Sequence, residues 1–124
     1  MARVRSSNTK PELQVRRLLT ERGVRYRLHR KDLPGKPDLY VPRLRLALFI
    51  NGCFWHGHSC PRGRRPSTNV AFWDTKISKN IERDKAARQA LSERGIEACI
   101  LWTCAMRDFE VVIDVIASKY GKPN

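Results

Sequence analysis

The stretch Leu33-Pro34-Gly35-Lys36-Pro37-Asp38-Leu39-Tyr40-Val41-Pro42-Arg43-Leu44-Arg45-Leu46-Ala47-Leu48-Phe49-Ile50 decides the fold. Its first five residues are a rigid turn, because two prolines and a glycine restrict the backbone to turn geometries. A short strand follows near residues 38–41, a break at Pro42-Arg43, and a stronger strand over residues 44–50. Upstream, Val24, Tyr26 and Leu28 alternate with Arg25, Arg27 and His29, the period-two pattern of a half-exposed strand. Before that, Thr9-Lys10-Pro11-Glu12 reads as a capping box with proline in the first helical turn. Leu13, Val15, Leu18 and Leu19 continue it as an apolar stripe, and Gly23 closes the helix.

Downstream, residues 51–71 have no periodicity and read as a long loop, a length that calls for a function or a tether. A helix is expected over roughly residues 72–94, with Trp73, Ile77, Ile81, Ala87 and Leu91 facing inward and Gly95 as its stop. Residues 96–102 are apolar on both faces, which predicts a central buried strand. Asp108 can cap a last helix carrying Val112, Ile113, Ile116 and Tyr120. The order is α-β-β-β-α-β-α: one mixed β-sheet flanked by helices, in a single α/β domain spanning residues 1–124, with residues 1–8 as a short basic arm.

The chain has 124 residues, with 25 Lys and Arg against 12 Asp and Glu, for a net charge of +13. Apolar residues make up 41%, enough for a core, so the charge does not signal disorder. A folded domain this basic calls for a polyanionic partner, and nucleic acid leads because phosphate neutralisation supplies most non-specific affinity. An anionic membrane surface is the weaker candidate. The polar start of the chain has no signal-peptide core, and the apolar run Leu46 to Ile50 is far too short to span a membrane. The expectation is a cytoplasmic protein, in which four cysteines point to a metal site plus core thiols rather than disulfides.

Three groups of residues carry chemistry. Cys53, His58 and Cys60 lie in one tight loop, and thiolate and imidazole are the ligands zinc prefers. Cys104, just after the apolar strand, is the best fourth ligand, while Cys99 inside that strand behaves as a small hydrophobe. The alternative is a set of unrelated loop and core residues. Phe54 and Trp55 are consecutive aromatics in a polar loop, suited to stacking on bases or wedging between base steps. Trp73 fits either that use or the apolar stripe of its helix. Among the acids, Asp38 opens a strand, Asp84 shares the face of Ile77 and Ile81, and Glu12 shares the face of Val15 and Leu19. A carboxylate on an apolar face is either paired with a base or assembled into a site. Three of them in a basic domain suggest a Mg²⁺-dependent nuclease centre, with His56 as a general base.

Leu33-Pro-Gly-Lys-Pro-Asp38, Phe49-Ile-Asn-Gly-Cys-Phe-Trp-His56, Phe72-Trp73 with Asn80-Ile-Glu-Arg-Asp84, and Trp102-Thr-Cys104 together resemble the very-short-patch-repair (Vsr) DNA mismatch endonucleases. The resemblance covers about residues 9–106 in the same order and spacing. It implies a restriction-endonuclease-like fold and an enzyme that nicks one strand beside a T:G mismatch left by deamination of 5-methylcytosine. It further implies Asp38 as the magnesium ligand, His56 as the histidine activating water, and Glu12 and Asp84 as supporting acids. By the same resemblance Cys53, His58, Cys60 and Cys104 bind structural Zn²⁺, and Phe54, Trp55 and Trp73 intercalate beside the mismatch. Asn51 stands where the best-studied branch of the family has another active-site histidine.

Arg62, Arg64 and Arg65 beside the zinc loop, and Arg3, Arg5 and Lys10 ahead of the first helix, are placed for flanking phosphates. The implied partners are double-stranded DNA and, functionally, a cytosine-5 DNA methyltransferase and mismatch-repair proteins, with the chain itself a monomer. Two alternatives stay open on the residues: a restriction- or homing-type nuclease on the same scaffold, and a zinc-stabilised DNA-binding module with a decayed site.

Overall fold

The turn, the break and the apolar alternation of residues 33–50 produce an antiparallel strand pair in the computed structural model, which describes residues 10–52 and 67–121. The elements run α1 (Lys10–Glu21), β1 (Arg27–Leu28), β2 (Leu39–Val41), β3 (Leu46–Asn51), α2 (Val70–Glu93), β4 (Glu97–Trp102) and α3 (Phe109–Tyr120). Pro42 starts a short 3₁₀ turn, and Arg45, in the left-handed region at φ 50°, redirects the chain into β3. The sheet order is β1-β2-β3-β4, antiparallel for the first two pairs and parallel for β3 with β4. The parallel pair requires a crossover, and α2 supplies it.

Alternation along β3 assigns the two faces. Leu46, Leu48 and Ile50 join Leu39 and Val41 of β2 against α1 and α3, where Val15, Leu18, Leu19, Phe109, Ile113 and Ile116 complete a large core. Ala47 and Phe49 point to the other face, into a smaller core with Leu33, Tyr40, Leu91, Ile96 and Ala98 under α2. Arg22 ties α1 to α3 by donating to Asp114 and, at 3.2 Å, to Glu110, which holds its guanidinium pKa above the usual value. The α/β order expected from the sequence is the one observed, with helices on both faces of a four-stranded mixed sheet.

Four details outside α2 differ from expectation. The first strand shrinks to two residues, with Leu28 exposed, because only Arg27 and Leu28 find partners on β2. Leu13 is exposed too: the inward line of α1 runs through Glu12, Val15 and Leu19. The strand β4 is an edge strand of the described sheet, not a central one. Its two apolar faces report that helices cover both sides of the sheet rather than that strands flank it. The Asp108 side chain makes no capping hydrogen bond at the start of α3; a 3₁₀ segment over Thr103–Asp108 feeds the helix instead.

In α2 the buried residues are Ile77, Ala87 and Leu91, while Ile81 is exposed. The inward line steps from 77 to 80, 84, 87 and 91, so it takes in half-buried Asn80 and Asp84 instead of Ile81. An apolar residue gives way to two polar ones on the face that meets the sheet. No helix among the described residues is long and apolar enough to cross a membrane.

Candidate active site

The polar groups on inward faces gather at one end of the sheet, where β2 begins and β3 ends. Pro37 is buried and delivers the chain to Asp38. The Asp38 N–H donates to the Leu48 carbonyl at 3.0 Å. Its side-chain Oδ2 accepts from the Ile50 N–H at 2.7 Å, taking the place of a ladder carbonyl just ahead of β2. A carboxylate accepting a backbone N–H this way is a charge-assisted hydrogen bond with a fixed orientation. Asp38 precedes Leu39, whose side chain lies on the α1 and α3 face, so alternation turns Asp38 toward the α2 face.

Asn51 ends β3 on that same face and is buried, at 6% exposure. With Phe49, Ile100, Ala87, Arg88 and Asp84 it lines a narrow cleft between sheet and helix. The Asp84 carboxylate and the Asn51 amide thus share one cleft, although 33 positions separate them in the chain.

Glu12 approaches from the other layer. It lies in the first turn of α1 and is 2% exposed, the most buried charged side chain among the described residues. His29 Nε2 lies 3.1 Å from its Oε1, and Arg16 Nη1 lies 3.7 Å from its Oε2. Removing a carboxylate from water costs several kcal/mol unless such partners replace the lost solvation. His29 is tied to the same place by its backbone, whose N–H donates to the Asp38 carbonyl at 3.1 Å. The sequence gives no sign of this: in the alternation of residues 24–29, His29 is only one more polar position.

On α2, Trp73 is half-buried and meets exposed Phe72 edge to face, with ring centroids 5.1 Å apart. Val70 and Phe72 leave an apolar surface at the start of the helix, with Lys76 stacked over the Phe72 ring at 5.4 Å. Phe72 was visible in the sequence as an aromatic neighbour of Trp73, but its exposure depends on how α2 sits on the sheet.

Cys104 is exposed in the 3₁₀ segment after β4, and Cys99 is half-buried within that strand. Burial pushes the Cys99 thiol pKa up, with the nearby Glu97 charge adding to the effect. Among the described residues no three His, Cys, Asp or Glu side chains group so as to hold a metal ion. His56, the zinc candidates Cys53, His58 and Cys60, the aromatics Phe54 and Trp55, and Arg62, Arg64 and Arg65 lie outside the described residues, as do Arg3 and Arg5.

The family model for DNA mismatch endonuclease Vsr matches residues 1–62. The type II nicking enzyme V.XorIIP of Xanthomonas oryzae pv. oryzae is 48% identical over 108 residues, which cover 87% of this chain and 79% of that protein. The type II nicking enzyme V.NmeAIP of Neisseria meningitidis is 41% identical, over 87% of this chain and 77% of its own length. The DNA mismatch endonuclease Vsr of Escherichia coli is 39% identical over 114 residues, 92% of this chain and 73% of that protein.

Proposed function

Because the chain belongs to the Vsr family of DNA endonucleases, we propose that it nicks one strand of duplex DNA beside a T:G mismatch, with Mg²⁺ held at Asp38. The observation that supports this reading is that His29 bonds both Glu12 and the Asp38 backbone, while Asn51 and Asp84 line one cleft, in a chain with net charge +13. Four inward polar groups are costly to a core and make sense as a site.

The donor chemistry at Asp38 suits Mg²⁺, a hard cation bound through one or two carboxylates together with phosphate and water. Bound there, the ion would supply Lewis acidity to a phosphoryl oxygen and acidify a water. The protein's own part is to hold the Asp38 carboxylate plane through the Ile50 N–H, with Glu12 and Asp84 as supporting acids. His56 would take the proton of the attacking water. Phe54, Trp55 and Trp73 would wedge into the base stack, which costs least at a mismatched pair. Arg62, Arg64 and Arg65 would neutralise flanking phosphates.

Cys53, His58, Cys60 and Cys104 would bind the structural Zn²⁺. In support, the parallel register pairs Asn51 with Trp102, and Cys53 and Cys104 each stand two positions further along the chain. The same reading makes residues 1–124 a single domain, monomeric and cytoplasmic. It couples the chain functionally to a cytosine-5 DNA methyltransferase and mismatch-repair proteins.

The test is nicking of T:G and matched C:G duplexes in Mg²⁺ by the wild type and by Asp38→Asn. One-strand cutting of T:G alone, abolished by Asp38→Asn, is the expected result. Double-strand cutting of matched duplex would instead favour a restriction-type nuclease, and salt-sensitive binding without any cutting a DNA-binding module. Metal analysis should find one Zn²⁺ per chain, and substoichiometric metal in stably folded protein would refute the zinc site.

A further inference from the structure

We propose that His29 is a positioning residue of the nuclease site, holding the Glu12 carboxylate in place beside Asp38. The inference rests on the reading of Asp38 and Glu12 as that site. Three observations meet at His29. Its Nε2 lies 3.1 Å from Oε1 of the buried Glu12 carboxylate, within hydrogen-bond distance. Its backbone N–H donates to the Asp38 main-chain carbonyl at 3.1 Å, so one residue ties the Glu12 side chain to the Asp38 backbone. Its backbone sits at φ 47°, in the left-handed region that costs a non-glycine residue energy and persists only where the surroundings impose it.

The arrangement acts as a strut. Glu12 belongs to α1, and Asp38 immediately precedes β2. Without a tie between them, the helix could settle on the sheet with its first turn displaced by an ångström, enough to lose a productive geometry. Arg16 cannot substitute, because it lies on the same helix as Glu12 and holds the other oxygen at 3.7 Å. His29 reaches Glu12 from the strand layer, with its Nε2 3.1 Å from Oε1. The imidazole thus enters on the Glu12 side of the site, whereas position 51 carries an amide.

The test compares wild type, His29→Leu, His29→Gln, Glu12→Gln, the Glu12→Gln/His29→Leu double variant and Asp38→Asn in the nicking assay at saturating Mg²⁺, with thermal unfolding of each. His29→Leu keeps the bulk and removes the donor; it is expected to lower kcat at least tenfold with KM for duplex within twofold. His29→Gln restores a donor and should recover to within about threefold of wild type. The double variant should be no slower than the slower single one, since both changes break the same link. Full kcat in His29→Leu, multiplicative losses in the double variant, or equal defects in His29→Leu and His29→Gln would overturn the proposal. If Asp38→Asn itself nicks normally, the site assignment fails and not merely the strut. Should His29→Leu unfold, His29→Asn, whose amide is too short to span the distance to Glu12, takes its place in the same comparisons, alone and combined with Glu12→Gln.

Discussion

Gly35 is where the turn that delivers Asp38 meets α2, and replacing it with alanine exposes how tightly that junction is built. A Cβ at Gly35 would lie 2.7 Å from the Ala87 Cβ and 3.1 Å from Phe49 Cε1. The Ala87 Cβ is rigidly attached to the backbone of α2, so the helix or the turn must shift. Gly35 also has φ +77°, a conformation an L side chain adopts only with strain. Gly23 provides the comparison, with φ +72° but nothing within 4 Å of its Cβ position. Backbone strain costs about 1–2 kcal/mol at either site, offset by roughly 0.4–1 kcal/mol from the stiffer unfolded chain. Overpacking adds about 1–3 kcal/mol at Gly35 alone.

Gly23→Ala should therefore lose about 1 kcal/mol and Gly35→Ala about 2–4 kcal/mol, corresponding to Tm drops of roughly 4 °C and 8–16 °C. Ala87→Gly removes the obstructing carbon, so the Gly35→Ala/Ala87→Gly pair should show a favourable coupling on the order of 1–3 kcal/mol. Urea unfolding of the four variants measures these values. Equal losses at Gly23 and Gly35, or strict additivity with Ala87→Gly, would refute the steric argument. At temperatures where Gly35→Ala stays folded, its nicking rate should fall, because the shifted turn carries Asp38 with it.

Further consequences are local. Arg30 donates twice to Asp32, at 2.7 and 2.6 Å, and this holds the exposed Asp32 carboxyl at a pKa of about 2. Its folded pKa is depressed, so any stabilisation is present above pH 3.8 and is lost as pH falls toward 2; NMR titration of Asp32 against Arg30→Gln should show the midpoint return upward. Cys99, with its raised thiol pKa, should be alkylated by iodoacetamide at pH 8 more slowly than a free model thiol in the native protein and at the model rate in urea. Phe109 is 1% exposed at the centre of the larger core, and Phe109→Ala should cost about 3–5 kcal/mol in urea unfolding.

Where local pattern and tertiary packing agree, the sequence was an accurate guide. The turn at residues 33–37 and the break at Pro42 are backbone restrictions of proline and glycine, which act whatever surrounds them. Glu12 and Asp84 stood out because helical periodicity placed them among apolar neighbours. The error at Ile81 has the same source. A straight helix offers both an i+3 and an i+4 step, and only the sheet beneath α2 chose the line through Asn80 and Asp84. The edge position of β4 was hidden in a similar way, since coverage of both faces by helices makes an edge strand as apolar as a central one.

By itself, then, the sequence determined the strand and helix order, the basic charge that calls for DNA, and the acids that do not belong on apolar faces. All of these are properties of neighbouring residues and of composition. Tertiary structure alone decided that His29 joins Glu12 to the Asp38 backbone and that Asn51 and Asp84 line one cleft. Those contacts join different elements, and their geometry depends on strand register and helix seating. A one-residue slip of register would turn Asn51 to the opposite face and separate it from Asp84.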